Sequence, residues 1–246
     1  PEADVELLVR RRLLNATVNH ELPLERDRER LHIHPLVRAY AQEVFKLWGT
    51  VRQSVALHAA ASYYTSYILD AKDIEKSVDE ANILGSLDWL SQVMSANYEL
   101  IASICCSMRN YWHDRWYTDK SLRYLPLGVK AASALARSQH RQADYIQYGE
   151  LSLEFGRTLR DTGELDKAER HLKRALRLFH RCGFQQGEGR TYTELGQLAR
   201  QRGQLEAATR HYEKGLPLLH AAQDWQGEGW VLNYLGQVAK DRGLFD

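Results

Sequence analysis

From Glu150 onward the chain repeats one pattern of apolar and polar positions. Leu195-Gly196 and Leu235-Gly236 stand in matching surroundings, and Phe155-Gly156 precedes them at the same interval of 40 residues. In the middle copy Tyr192, Leu195, Gly196 and Ala199 fall at i, i+3, i+4 and i+7, which is one apolar stripe on a helix. Gly203 then predicts the end of that helix in a left-handed cap, in step with Gly163 and Gly243. Leu205, Ala208 and Tyr212 begin a second stripe, as Leu165, Ala168 and Leu172 do one period earlier, and Gly215 answers to Ala175. A glycine inside the first stripe costs about 1 kcal/mol of helix propensity, so Gly196 predicts a close approach between the two helices. Pro217 predicts a kink in the second.

One such hairpin cannot bury its own apolar face, whereas stacked copies bury a continuous core. The residues Tyr192, Leu195-Gly196, Ala199, Gly203, Ala208, Tyr212 and Gly215 resemble the tetratricopeptide repeat, in a longer subclass than the usual period of about 34 residues. That resemblance implies an all-α fold, a right-handed superhelix of antiparallel helix pairs, with a concave groove lined by the first helix of each pair. Its ligand would be a protein or peptide. The groove positions lie off the Leu-Gly stripe. They are Glu150, Leu153, Arg157 and Arg160, then Arg190, Thr193, Gln197 and Arg200, then Trp230, Asn233, Gln237 and Lys240. Arg157, Arg160, Arg190, Arg200 and Lys240 are expected to form a basic stripe for an acidic partner segment; a merely solvated helix face is the alternative.

Upstream the same helical period continues with less regularity. In "ANILGSLDWLSQV" Ile83, Leu84, Leu87 and Leu90 share a face, with Trp89 beside it. The stretch from Tyr98 to Leu135 predicts a helix, a turn around Asp114 to Thr118 and another helix, with Trp112 and Trp116 as core anchors; an aromatic ligand cage is the competing reading. The first fifty residues break the pattern. They predict a helix to about Leu14, an irregular charged stretch, a short strand Leu31–His34, and a helix with Pro35 in its first turn. The expected domains are 1–48, a winged-helix remnant; 49–140, degenerate repeats; and 141–246, regular repeats with the last one incomplete. Pro1 in place of Met, and the break at Asp246, predict an excised piece of a longer polypeptide. The helix Gly227–Gly243 would then leave Val231, Leu235 and Val238 partly exposed or covered by another molecule.

The phrase "RLHIHPLVRAYAQEVF" resembles the end of the winged-helix module in STAND signalling ATPases of the NB-ARC branch, where a nucleotide-binding module, a winged helix and a repeat array follow in order. "LGSLDWL" and "YWHDRWYTDKSLRYL" resemble connecting segments of such regulators. The resemblance implies a ligand-sensing array in a signalling or transcriptional regulator, contacting its own nucleotide-binding module and oligomerising on activation. His34 matches the histidine that contacts the β-phosphate of ADP in that family, but Pro35 stands where the family has aspartate; a histidine that packs or caps the strand end is the alternative. ADP or ATP would belong to the parent protein, and no cofactor is expected in residues 1–246.

Composition narrows the field further. A net charge of +1, with 26% charged and 44% hydrophobic residues, gives no bulk field for nucleic acid or anionic lipid. Arg10–Arg12 is the one basic run that favours a DNA-contacting reading. No stretch approaches the roughly 18 apolar residues of a membrane span, and an odd count of three cysteines suits a reducing cytoplasm. Cys105 and Cys106 lie in an apolar helical run and read as packing, with a vicinal redox pair as the alternative. The glycines of "GEGRTY" and "GEGWVL" lack the lysine of a phosphate loop, and no catalytic serine or zinc-protease motif occurs. His32 and His34 lack a third metal ligand, and no metal site is expected. These absences predict a chain that is not an enzyme, with a structural spacer as the rival to a binding module.

Overall fold

The computed structural model describes residues 14–18, 29–33, scattered helical positions between 51 and 65, residues 73–92 and residues 97–243. The chain divides into two compact units, Pro1–Trp89 and Leu90–Asp246.

In the first unit β1 (Leu14–Val18) pairs antiparallel with β2 (Glu29–Ile33), Leu14 opposite Ile33 and Ala16 opposite Leu31. The strand after the charged stretch is therefore present. The helix expected up to about Leu14 lies outside the described residues; β1 begins at Leu14, where Leu14, Ala16 and Val18 alternate with Asn15 and Thr17, the period of a strand. A two-stranded ribbon does not by itself specify a winged helix. His34 and the helix read from Pro35 lie outside the described residues. Helix α1 (Asp73–Gln92) carries the predicted apolar face, with Ile83, Leu87 and Leu90 fully buried.

The second unit is a stack of antiparallel helices: α2 (Tyr98–Asp114), α3 (Thr118–Gln139), α4 (Gln142–Asp161), α5 (Leu165–Cys182), α6 (Gln185–Gln201), α7 (Leu205–Ala221) and α8 (Trp225–Asp241). Each packs on the next, and α2, α4, α6 and α8 also touch one another in that order, forming an inner layer. The outer helices α5 and α7 bury one narrow stripe. Ala168, Leu172, Ala175 and Phe179 of α5 recur as Ala208, Tyr212, Gly215 and Leu219 of α7. The inner helices α4 and α6 bury more, since both partner helices and the neighbouring inner helices cover them.

Gly163, Gly203 and Gly243 take positive φ, and Gly203 closes α6 as a glycine cap, with Gly203 N–H on the Arg200 carbonyl (2.9 Å) and Gln204 N–H on that of Ala199 (2.9 Å). Gly196 lies against the Tyr212 ring, as its place in the stripe predicts. Pro217 does not end α7; it is exposed, so the carbonyl it leaves free faces water. Trp112 is a core anchor, fully buried and stacked on Tyr124 at 5.7 Å. Trp116 is not. It is 77% exposed at φ +57°, because it fills the left-handed turn position that glycine holds in later repeats. Val231 and Val238 are buried against α7 rather than exposed, and Leu235 is half-buried. The exposed apolar side chains of α8 are Trp230 and Leu232 instead, which point away from α7, together with Trp225 at its start.

Candidate functional site

The inner layer encloses a groove of about 390 Å³, lined by residues from α2, α4, α6 and α8. Of the sequence-predicted positions it brings together Glu150, Leu153, Arg157, Arg190, Thr193 and Trp230. Arg160, Gln197 and Arg200 instead line a separate depression of about 450 Å³ with Asp161, Gln201 and Asp241. Both sets descend from one helical register, but the later positions sit a turn further toward the helix C-termini. Asn233 is exposed and accepts a hydrogen bond from Gln237 (3.4 Å), and Lys240 is exposed on the same helix.

The expected basic stripe is corrected by the carboxylates that face it. Arg157 stands 3.9 Å from Glu154 and 3.6 Å from Glu194, and Arg160 is paired with Glu194 and with Asp161 (2.7 Å). Arg190 donates to Asp224 (2.6 Å), and Arg200 to Asp241 (2.7 Å) and Gln237. Burial pulls the pKa of Arg160 down, yet the charges of Glu194 and Asp161 more than offset it, and the guanidinium is held protonated. Each of these arginines is committed to an adjacent carboxylate, most of them on the next inner helix. They brace the layer rather than present free charge.

Sequence reasoning missed Glu154 and Glu194, although one period separates them and the recurrence was available as a signal. It also missed Asp224, which caps α8 by accepting from Gly227 N–H (3.1 Å) and gathers Gln186 (3.2 Å) and Arg190. In the preceding junction Phe184 holds that place and packs edge-on to Phe179 at 5.4 Å. Burial works against the Asp224 carboxylate, but hydrogen bonds from Arg190 and Gly227 hold its pKa below the ordinary carboxylate range. At the α8 side Trp230 stacks on Tyr234 (6.2 Å) and Tyr234 on Tyr212 (5.8 Å).

Beside the groove, Arg109 reaches Glu150 (3.1 Å) and the Cys106 sulfur (2.9 Å), while the Cys106 thiol points to Glu150 (3.2 Å). Burial pushes that thiol up to about 12, and Cys105 higher still, so both stay protonated near neutrality, as packing residues do. Among the described residues no three His, Cys, Asp or Glu side chains gather as metal ligands would, and no helix is long and apolar enough to cross a membrane.

The repeating hairpin, the glycine-capped turns and the two-layer stack are the features to compare with known proteins. Residues 149–221 match the family model described as tetratricopeptide repeat. This segment is a tetratricopeptide repeat array. The known role of such arrays is protein–protein interaction, without catalysis. No curated protein matches the chain. Among solved structures, BtubC (BKLC) from P. vanneervenii is similar at 13% identity and a TM-score of 0.43, over 76% of this chain and 91% of that one. A structure titled "DHF58 filament" matches at 14% identity and a TM-score of 0.24, over 77% of this chain and 92% of its own. At those scores neither bears on function; the repeat match and the geometry do.

Proposed function

We propose that this chain is a non-catalytic recognition module whose inner groove holds an extended segment of a partner protein. One observation carries the reading: the groove lining includes side chains that packing does not require. Trp230 is 51% exposed on one flank of the groove, and Asn110 and Asp114 are exposed on the other. An exposed aromatic and polar groups sharing one groove are the composition of an interface. A spacer would need only the braced arginines.

Site-specific photocrosslinking in the native host separates the two. A benzophenone side chain at Asn110 or Trp230 should give discrete protein adducts, and one at Glu213 on the outer layer should not. Equal labelling from both faces would return the array to a spacer role.

The stretch from Arg30 to Phe45 supports a finer placement of this module as the ligand sensor of a STAND-type ATPase, with His34 toward its nucleotide. Partner binding would then act by favouring one state of that ATPase over another. Sequencing the gene upstream of residue 1 tests this directly: a phosphate loop followed by a winged helix is expected, and its absence would remove the STAND assignment while leaving the groove reading intact.

A further inference from the structure

The groove is acidic although the chain as a whole carries a net charge of +1. Asp114, Glu150, Glu154, Glu194 and Asp224 line it against Arg109, Arg157 and Arg190, and Arg160 reaches Glu194 from the adjoining depression, so five carboxylates meet four guanidiniums, an excess of one negative charge. The three guanidiniums that line the groove are already engaged by Glu150, by Glu154 and Glu194, and by Asp224. Asp114 is exposed and has no ion-pair partner among the described residues. In a concave site with low-dielectric walls, uncompensated charge of one sign acts on a ligand more strongly than on a flat surface.

Glu154 makes the excess specific. It is 6% exposed and lines the groove floor, yet its Oε1 accepts no hydrogen bond. His113 Nδ1 stands 3.3 Å away, close enough to form an ion pair when protonated but not aligned for a hydrogen bond, and Arg157 is 3.9 Å from the other oxygen. A buried carboxylate oxygen without a donor is costly unless something supplies one. At the other flank, Trp230 and Tyr234 offer stacked aromatic faces to which a cationic side chain is attracted.

We propose that the groove selects partner segments carrying lysine or arginine, with one basic side chain directed to Asp114 and Glu154 and another side chain of the same segment packed on Trp230. This rests on the groove being the binding surface, and it reverses the charge of the partner expected from the sequence. Charge complementarity of this kind sets specificity and association rate, and it weakens with salt.

The test is selection of short random peptides displayed on phage against the 246-residue chain, followed by fluorescence anisotropy of the enriched peptides. Asp114→Lys and Trp230→Ala are the variants, both at exposed positions, with circular dichroism confirming the fold. Enriched peptides should be rich in lysine and arginine. They should bind Asp114→Lys about tenfold or more weakly at low salt, and lose affinity to Trp230→Ala as well. Peptides that are acidic or neutral, yet weakened by Trp230→Ala, would overturn the charge inference and keep the groove. Peptides indifferent to both variants, or no enrichment at all, would overturn both readings.

Discussion

Gly196 and Gly236 hold the same place in consecutive repeats, yet alanine at the two should shift stability in opposite directions. Replacing an interior helical glycine with alanine gains about 0.5–1 kcal/mol from the unfolded chain's lost freedom. At Gly236 an added Cβ meets nothing within 4 Å, so the 246-residue chain should keep the whole gain. At Gly196 the same atom would lie 2.6 Å from Tyr212 Cδ1 and 2.8 Å from Cζ, and nearer still to Cε1. Carbon atoms at rest stand about 3.5–4.0 Å apart, so the ring must retreat by about 1 Å. It has little freedom to do so, being fully buried and stacked on Tyr234. Overpacking of this kind costs about 1–3 kcal/mol; a rigid ring belongs at the upper end, leaving a net loss of about 2 kcal/mol after the propensity gain. For a chain of this size that is a fall of about 4–8 °C in Tm, against a rise of about 1–4 °C for Gly236→Ala. Urea and thermal unfolding followed by far-ultraviolet circular dichroism read both. The double variant Gly196→Ala/Tyr212→Leu should be less destabilised than the two single losses added together, because the leucine found at the equivalent position 172 is flexible. Equal stabilisation by Gly196→Ala and Gly236→Ala would refute the claim that helix approach fixes this glycine.

Three further outcomes are expected. Burial, with Arg174 and Arg170 nearby, lowers the pKa of His171 to about 4; the unfolded chain therefore binds the proton first, and stability present above about pH 6.5 should decline as pH falls toward 4. Because the ring is partly exposed the effect is discounted to about 1 kcal/mol, read as the difference in urea midpoint between the wild type and His171→Phe at pH 7 and pH 4.5; a constant difference would refute it. Asp224→Ala removes the α8 cap and the anchor of Arg190, and should cost about 1–2 kcal/mol and raise hydrogen exchange in the first turn of α8. Trp116→Gly relieves a left-handed residue and should stabilise by about 1 kcal/mol in urea titrations, since the side chain it removes is exposed; a loss of stability would show that the indole is held by more than the turn.

What was legible in the sequence was what repeats. The stripe through Gly196, the cap at Gly203 and the second stripe through Ala208 follow from local spacing, and each falls where that spacing puts it. The buried Trp112 was legible because it lies on an apolar face, and the exposed Trp116 was misread because hydrophobicity says nothing of a left-handed turn. Val231 and Val238 were expected to be partly exposed or covered by another molecule for a similar reason: an apolar stripe shows that a helix is covered, but not which neighbour covers it. Asp224 was invisible because its partners, Gln186 and Arg190, lie on another helix and its own position holds Phe184 one repeat earlier.

The charge of the groove shows most plainly why a single helix face is too small a unit to read. Along one face, Arg160, Arg200 and Lys240 form a recurrent row of cations, and the row alone implies an acidic ligand. Across the layer, Arg160 reaches Glu194 and Arg200 reaches Asp241, so the row's first two members are spent on the adjacent helix. Arg160 and Arg200, which recur in register, therefore join repeats. The series Glu150, Arg190, Trp230 changes in every copy, and all three members face the groove. Glu154 and Glu194 keep their identity while their surroundings differ: Glu194 has two arginines, and Glu154 has one arginine at 3.9 Å and a histidine at 3.3 Å that is not aligned for a hydrogen bond. A residue repeated for bracing but left with a weaker brace is a site where binding energy remains available. That is the physical ground for placing the partner's basic side chain there rather than at any of the arginines.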